Sequence, residues 1–501
     1  MSSSKSNKSI IFYNGFREKS YCGYCKKDKS SYSHGMWASS LTVQAYQDLI
    51  DRGWRRSGKY CYKPTMDKSC CPLYTIRCDA LDFQLSKSQK KIIKKVSRFL
   101  KSGKQEQNIW NSEEAQREPQ EKFDSYDMHD IDKKMEVVDS NNSSIEELNT
   151  PKKDLQNCAS TTNSCETTNI EKNDEVLTKS LDDVNQQSKM IKEKKTIKPG
   201  KGADPNLPKC KKKKLLRIEK KLAKNPNAVI TTLTPQQKTV EDFIAENDTV
   251  SEEQVYNLKV SLVKTGTMEF AQTFSAGASL FAKYQMAVHN DQPNECDTAQ
   301  YIEFLVDSPL QFENTDVADH PGYGSFHQQY WLGNKLIAVG VIDILPKCVS
   351  SVYLFYDPDY YHLVLGTYSS LREICLVRQL HKMSPDLKYY YMGFYINSCP
   401  KMRYKAHIKP SYLLCPLQYT WHNTEICIPK LDKAKYVVFN DTDKEEDGSR
   451  VEDVPMLYCG KLMTHSVYKR ITKVDIQDQL LEYIKLVGPN LAKLLIYCVL
   501  D

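Results

Sequence analysis

The chain has 501 residues, a formal net charge of +7 and 17 cysteines. That length exceeds one ordinary core, so two or three domains are expected. The opening stretch "MSSSKSNKSIIFYNGF" has no apolar run of signal-peptide length, and no later stretch approaches the roughly 20 apolar residues of a membrane span. The expectation is a cytoplasmic protein, with the nucleus as a second compartment and no membrane partner. In a reducing compartment an odd number of cysteines reads as thiols or metal ligands rather than a disulfide framework.

Near the start, "YCGYC" sets Cys22 and Cys25 three positions apart, and "DKSCCPLYT" supplies a second pair, Cys70 and Cys71. A Cys-x-x-Cys turn aims two thiolates at one point, and four sulfurs suit zinc or an iron–sulfur cluster. Adjacent cysteines chelate one zinc awkwardly because their side chains diverge, which favours a cluster with separate metal corners. The plain alternative is that these thiols, with Cys61 and Cys78, only pack. Between the pairs, Leu41, Tyr46, Leu49 and Ile50 predict a short amphipathic helix that stops at Gly53. The basic turn Arg55-Arg56-Ser57-Gly58 follows, flanked by Trp54 and Tyr60. Cations beside aromatics suit phosphate contact and base stacking of RNA, against the alternative of two arginines solvating a turn. The expected unit is a Cys-rich N-terminal domain over 1–103.

From 127 to 242 there is no Phe, Trp or Tyr, and up to about residue 200 the text is polar without apolar periodicity. Such a stretch cannot bury enough apolar surface to offset its ordering entropy, so 104–207 is expected to be a disordered polar linker. The second folded domain is placed at 208–501. It opens with "KCKKKKLLRIEKKLAKNPN", which predicts a helix over 209–224 with Leu215, Ile218 and Leu222 on one stripe. Lys213, Lys214, Arg217, Lys220 and Lys221 on its other faces suit a phosphate backbone; a nuclear-import signal or a plain solvated helix are the alternatives.

Further on, "SAGASLFAKYQMAVHND" reads as a helix, and "KLIAVGVIDIL" and "SSVYLFYDP" read as strands joined by "PKCV". "SSLREICLVRQL" reads as a helix opened by a capping box from Ser370 to Glu373, and "LKYYYMGFYI" as a further strand. Strand, strand, helix, strand with near-continuous apolar strands predicts a mixed α/β layer covered on both faces. No Gly-rich turn that would cradle the pyrophosphate of CoA is present. Gly322-Tyr323-Gly324 is a weak loop signal, and no P-loop, zinc-protease helix or Gly-x-Ser-x-Gly elbow occurs.

Taken together, "YCGYC", "DRGWRRSG", "CCPLYT", "KYQMAVHND", "GSFHQQYW", "GVIDILP", "FYDPDY", "YSSLREI", "YYYMGFYINSCPKMRYK" and "PSYLLCP" resemble the eukaryotic arginyltransferases. The resemblance implies transfer of arginine from arginyl-tRNA to proteins with acidic N-termini (Asp, Glu or oxidised Cys), which marks them for the N-degron ubiquitin–proteasome pathway. It implies a GNAT-like acyltransferase fold for the C-terminal part, without CoA. It also implies an iron–sulfur cluster ([4Fe-4S]) on Cys22, Cys25, Cys70 and Cys71, with zinc or heme as alternatives. The expected partners are arginyl-tRNA and acceptor proteins, not DNA, and the expected assembly is a monomer or weak oligomer.

The chemistry then sets requirements. An amine must lose a proton and attack an ester, so Asp343, Glu373 and His289 are candidate bases. Each has a bland reading: a strand-end anchor, a capping box and a helix C-cap respectively. An acidic acceptor needs cations, and Lys401, Arg403 and Lys405 in "CPKMRYK" share one side if that loop is extended, with Arg403 the expected main contact. The donor's arginyl group needs an acidic or aromatic pocket, for which Asp357, Asp359, Tyr390 and Tyr391 are available. The rival readings are a CoA-dependent N-acyltransferase and a non-catalytic RNA-binding metalloprotein.

Overall fold

The computed structural model describes residues 8–104, 238–249, 254–440 and 450–499, with two isolated positions, 220 and 223. The expected linker over 104–207 therefore lies outside the described residues, apart from its first position. Fifteen strands are present among them. The first five are β1 (Ser9–Ser20), β2 (Ser31–Ser40), β3 (Arg55–Ser57), β4 (Tyr60–Pro64) and β5 (Tyr74–Asp79). The middle group is β6 (Leu258–Lys264), β7 (Gly324–Leu332), β8 (Lys335–Leu345), β9 (Cys348–Tyr356) and β10 (Tyr389–Tyr395). The last are β11 (Ser411–Leu414), β12 (Trp421–Asn423), β13 (Met456–Tyr458), β14 (Lys461–Met463) and β15 (Leu495–Cys498).

They form two sheets, and each sheet mixes early and late chain. The seven-stranded sheet runs β14-β13-β15-β1-β2-β4-β3, and the eight-stranded one β12-β11-β5-β10-β9-β8-β7-β6. β1 pairs in parallel with β15, and β5 lies antiparallel to both β10 and β11. The expected boundary at 103 thus does not separate two cores. The described residues 8–104, 238–249, 254–440 and 450–499 belong to one compact unit. The reason is visible in β5: Tyr74, Thr75, Ile76 and Cys78 are buried, and a strand buried to this extent has to sit inside a large sheet rather than at the rim of a small domain.

Helices cover the sheets. In α1 (Val43–Ile50) the Thr42 hydroxyl accepts from the Ala45 N–H at 3.1 Å, while Tyr46, Leu49 and Ile50 turn inward. α2 (Lys87–Ser102) carries a Ser86–Gln89 capping box and buries Ile93, Val96, Phe99 and Leu100. With α3 (Val240–Asp248), α4 (Met268–Tyr284) and α5 (Leu365–His381) it packs on the eight-stranded sheet. A second core joins α1 and the C-terminal helices to the seven-stranded sheet, and also takes in Leu345, Cys348 and Tyr391. Two helices begin earlier than the sequence suggests. α4 starts at Met268 and becomes π-helical over Gln285–His289. α5 starts at Leu365 because the turn Pro358–Leu363 feeds straight into it. The expected capping box is therefore absent: the Ser370 hydroxyl donates to the Gly366 carbonyl at 3.0 Å, and Glu373 lies inside the helix.

One feature of the larger sheet positions the site. β9 and β10 are parallel neighbours joined by α5, yet their pairing covers only Cys348–Ser350 against Tyr389–Tyr391. Beyond those residues β9 stays with β8 and β10 with β5, so the two strands part and leave a notch.

Candidate active site

The notch opens into a cavity of about 230 Å³. One wall is Ser350 to Leu354 of β9, the opposite one Tyr390 and Met392 to Phe394 of β10. α5 contributes Gly366, Ser369 and Ser370 at the base, and the N-terminal region closes the space with Arg17, Tyr21, Tyr24, Arg55, Arg56 and Tyr62. No Asp or Glu lines it among the described residues; the wall is hydroxyls, aromatic rings and cations.

The two arginines of the basic turn differ in kind. Arg56 is a neutralised cation: its Nε donates to Asp343 Oδ2 at 2.8 Å and an Nη to Oδ1 at 2.5 Å, and Ser325 Oγ adds a third donor to Oδ1 at 2.7 Å. The Arg56 and Asp343 side chains are 1% and 0% exposed. Register explains the meeting, since Ser325, Asp343 and Ser350 lie opposite one another across β7, β8 and β9. Asp343, expected as a base, is therefore engaged in an ion pair, and Arg56, expected at RNA, is its buried partner. Gly58 allows the turn that delivers it: φ is +54°, and a Cβ there would lie 2.1 Å from the Glu303 carbonyl.

Arg55 has no such partner. It is 6% exposed and donates to the carbonyls of Trp54 at 2.7 Å, Ile50 at 3.4 Å and Gly393 at 3.5 Å. Phe394 and Tyr391 lie 5.4 and 5.7 Å from it, and its buried Nε meets no acceptor. Lys405, also on the cavity wall, donates to the Phe394 carbonyl at 2.8 Å. The segment "CPKMRYK" is not extended but helical over Pro400–Arg403 and Tyr404–His407, so its three cations do not share a side. Lys405 faces the cavity; Arg403 is exposed, bonds the Asn397 carbonyl at 2.8 Å, and like Lys401 is not part of the wall.

Glu373 lies behind the wall. It is 1% exposed, and burial pushes it up to about 7 against the hydrogen bonding of the Tyr390 and Ser351 hydroxyls. His289 lies near the Tyr353 hydroxyl, 3.3 Å from its Nε2, outside the cavity. Asp357 is fixed by Lys283 at 2.5 Å and Lys335 at 2.7 Å, and Asp359 by Lys283 at 2.8 Å. Tyr391 points into the second core, where it bonds Asp51 and receives Arg77 at 3.2 Å, whereas its neighbour Tyr390 faces the cavity. Neither Asp357 nor Tyr391, expected at the arginyl pocket, is part of the cavity wall. Lys213, Lys214, Arg217 and Lys221 lie outside the described residues, and Lys220 is an exposed helical position. Sequence reading passed over Arg17 and Ser351. The paired serines of "CVSSVYLFY", set inside an otherwise apolar strand, are the signal that could have found the latter.

The four expected thiols do come together. Their sulfurs all lie within 4.8 Å of one another, with Cys25 and Cys70 3.2 Å apart and the Ser30 hydroxyl donating to Cys70 at 3.1 Å. The Cys-x-x-Cys turn is closed by the Lys26 N–H on the Cys22 carbonyl at 2.8 Å. Hydrogen bonding from Cys71 draws the Cys22 thiol down to about 4 despite burial; Cys71 rises in return, and burial lifts Cys70 to about 11. One tetrahedral ion with bonds of about 2.3 Å needs sulfurs about 3.8 Å apart, so the quartet fits a metal with little movement. Cys61 and Cys78 are buried elsewhere. Cys22 and Cys71 pack with Phe394, Met402, Tyr24 and Tyr62, all of which also line the cavity.

Fold and site together define a mixed α/β protein in which a candidate four-thiol metal centre backs onto a cationic cavity built from both ends of the chain. The N-terminal family model of the arginine-tRNA-protein transferases matches residues 20–91, and the C-terminal one residues 276–415. Arginyl-tRNA–protein transferase 1 of Drosophila melanogaster is 41% identical over 508 aligned positions, covering 98% of this chain and 99% of its own. Arginyl-tRNA–protein transferase 2 of Arabidopsis thaliana is 35% identical over 488, covering 86% and 78%. An aspartate/glutamate leucyltransferase of Campylobacter jejuni is 34% identical over 104, covering 21% and 41%. The chain belongs to the arginyl-tRNA–protein transferase family, and is thereby an enzyme of the aminoacyltransferase class.

Proposed function

We propose that this chain transfers arginine from arginyl-tRNA to the α-amino group of proteins whose first residue is acidic, and so feeds the N-degron route to the proteasome in the cytoplasm and nucleus. The observation that carries the acceptor class is Arg55: a buried guanidinium with no carboxylate partner on a cavity wall that holds no acid. Such a cation is stabilised when an acceptor carboxylate enters, and a charge-assisted hydrogen bond of this kind contributes about 1.5–3 kcal/mol. An aminoacyl ester is already activated, so holding amine and ester together in the notch supplies most of the acceleration. The parting of β9 and β10 beside the start of α5 supports a GNAT-like reading of this half.

Cys22, Cys25, Cys70 and Cys71 would hold the metal. Their compactness favours one tetrahedral ion over the cluster expected from the adjacent cysteines. Bound there, it would fix the turn that carries Tyr21 and Tyr24 into the cavity wall. The basic stretch at 209–224 remains the proposed contact for tRNA phosphates.

The test is transfer from charged tRNA to peptides starting with Asp or Asn. Arg55→Ala should lower activity on the Asp peptide roughly ten- to hundredfold and narrow the gap to Asn, with tRNA affinity held. Collapse of tRNA affinity with the Asp preference intact would instead make Arg55 an RNA contact.

A further inference from the structure

Buried carboxylates in folded proteins are hydrogen-bonded or ion-paired, because an unpaired one pays its desolvation in full. Glu373 is held at the centre of α5 with no cation beside it among the described residues, only the Tyr390 and Ser351 hydroxyls. Its place is built for it. β8 has glycine at 340, where a Cβ would lie 3.2 Å from Glu373 Oε1. The groups that face it are neutral. β10 presents the Tyr390 hydroxyl, β9 the Ser351 hydroxyl, and β7 Tyr330, whose own hydroxyl is turned to Gln328 Oε1 at 2.6 Å. The adjacent cation, Arg372, is taken up by Asp248 and Tyr368. No cation pairs with Glu373 among the described residues.

Two of those neighbours also reach the substrate space. Tyr390 and Ser351 line the cavity, and the Tyr390 hydroxyl donates to Ser370 Oγ, a third lining group, at 3.3 Å. Asp343 is locked by Arg56, and His289 lies outside the cavity. We propose that Glu373 is the proton acceptor of the transfer step, reached from the cavity through the hydroxyls of Tyr390 and Ser351. It is a relay residue, acting through those hydroxyls rather than touching the reacting atoms.

The step balances as follows, and it rests on the function proposed above. The acceptor's ammonium gives one proton to a wall hydroxyl, which passes its own to the Glu373 carboxylate. The freed amine forms the C–N bond at the ester carbonyl carbon, and the bond from that carbon to the ribose oxygen breaks. The ribose oxygen takes the second ammonium proton, and the third stays as the amide N–H. Glu373 then returns its proton to solvent.

Burial places the Glu373 titration near neutrality, where a base can both accept and release a proton. The experiment uses the full metal-loaded chain with arginyl-tRNA and an Asp-starting peptide, following kcat/KM from pH 5.5 to 9. Glu373→Gln should lower it about 10²-fold and remove the limb near pH 7, leaving the acceptor amine's own titration at about 8. Tyr390→Phe, which keeps the carboxylate, should lower the rate while tRNA affinity holds. A readout independent of turnover is the infrared carboxyl band: a buried acid that ionises near pH 7 in the wild type and is missing in Glu373→Gln. A wild type that transfers nothing overturns the function itself. Transfer with the pH limb unchanged in Glu373→Gln, or full activity in a Tyr390→Phe, Ser351→Ala double variant, overturns the relay alone.

Discussion

Replacing Asp343 by asparagine separates a structural from a chemical role for the residue that the sequence favours as base. The carboxylate sits 2.5 and 2.8 Å from two nitrogens of Arg56, both side chains essentially without solvent. At about 3 Å and an effective dielectric of 20 the attraction is roughly 5–6 kcal/mol, opposed by several kcal/mol of desolvation per ion. Asparagine keeps the shape and one acceptor but leaves the guanidinium buried without a counter-charge, which costs about 3–5 kcal/mol. Trp54, fully buried and donating to the Leu486 carbonyl at 3.3 Å, lies two residues from Arg56 and reports the transition by its fluorescence. In urea Asp343→Asn should therefore unfold markedly earlier. The double variant Arg56→Met, Asp343→Leu should recover most of the loss, because no lone charge remains. Below the variant's transition, transfer should stay within tenfold of wild type. An Asp343→Asn protein with wild-type stability and a hundredfold slower transfer would refute the reasoning and return Asp343 to the reaction.

Glu373 carries the opposite signature. Its folded pKa is raised from 4.5 to about 7, so its favourable contribution is complete below pH 4.5 and is lost as pH rises through about 7. Thermal melts should accordingly show Glu373→Gln gaining on wild type by about 3 kcal/mol between pH 4.5 and pH 8; parallel melts across that range would contradict it. Cys22→Ser and Cys71→Ser should each abolish metal binding, read by zinc, iron and sulfide analysis of the purified chain, with one ion per chain expected in the wild type. Gly58→Ala should destabilise the fold by at least about 1 kcal/mol, since it combines a left-handed φ with a clash on the Glu303 carbonyl. Neutralising Lys213, Lys214 and Arg217 should flatten the salt dependence of tRNA binding, and an unchanged slope would leave that stretch to nuclear import.

What the sequence made legible was local. The Cys-x-x-Cys turn and the pair at 70 and 71 point to a candidate metal centre because close spacing aims the thiols of each pair together, and helices such as α1 follow from apolar spacing. Where the sequence reading differs from the structure, the cause is either a partner far along the chain or a neighbouring turn that changes the local conformation. Arg56 reads as an RNA contact until β7 and β8 bring Ser325 and Asp343 to it, 269 and 287 positions away. Arg403 reads as the acid-binding cation only if its loop is extended, and the Pro400 turn makes it helical. Glu373 reads as half of a capping box because four consecutive residues fit the pattern, whereas the turn at Pro358–Leu363 starts the helix earlier.

The division at residue 103 failed for the same reason, and the consequence is functional. Arg55 comes from the early segment, Lys405, Tyr390 and Ser351 from the late one, and the thiol centre ties the two beside Phe394 and Met402. The cation proposed to select an acidic acceptor thus lines the cavity, and the carboxylate proposed to take its proton lies behind the same cavity's wall, only because β1 and β5 are threaded through sheets completed by the C-terminal half.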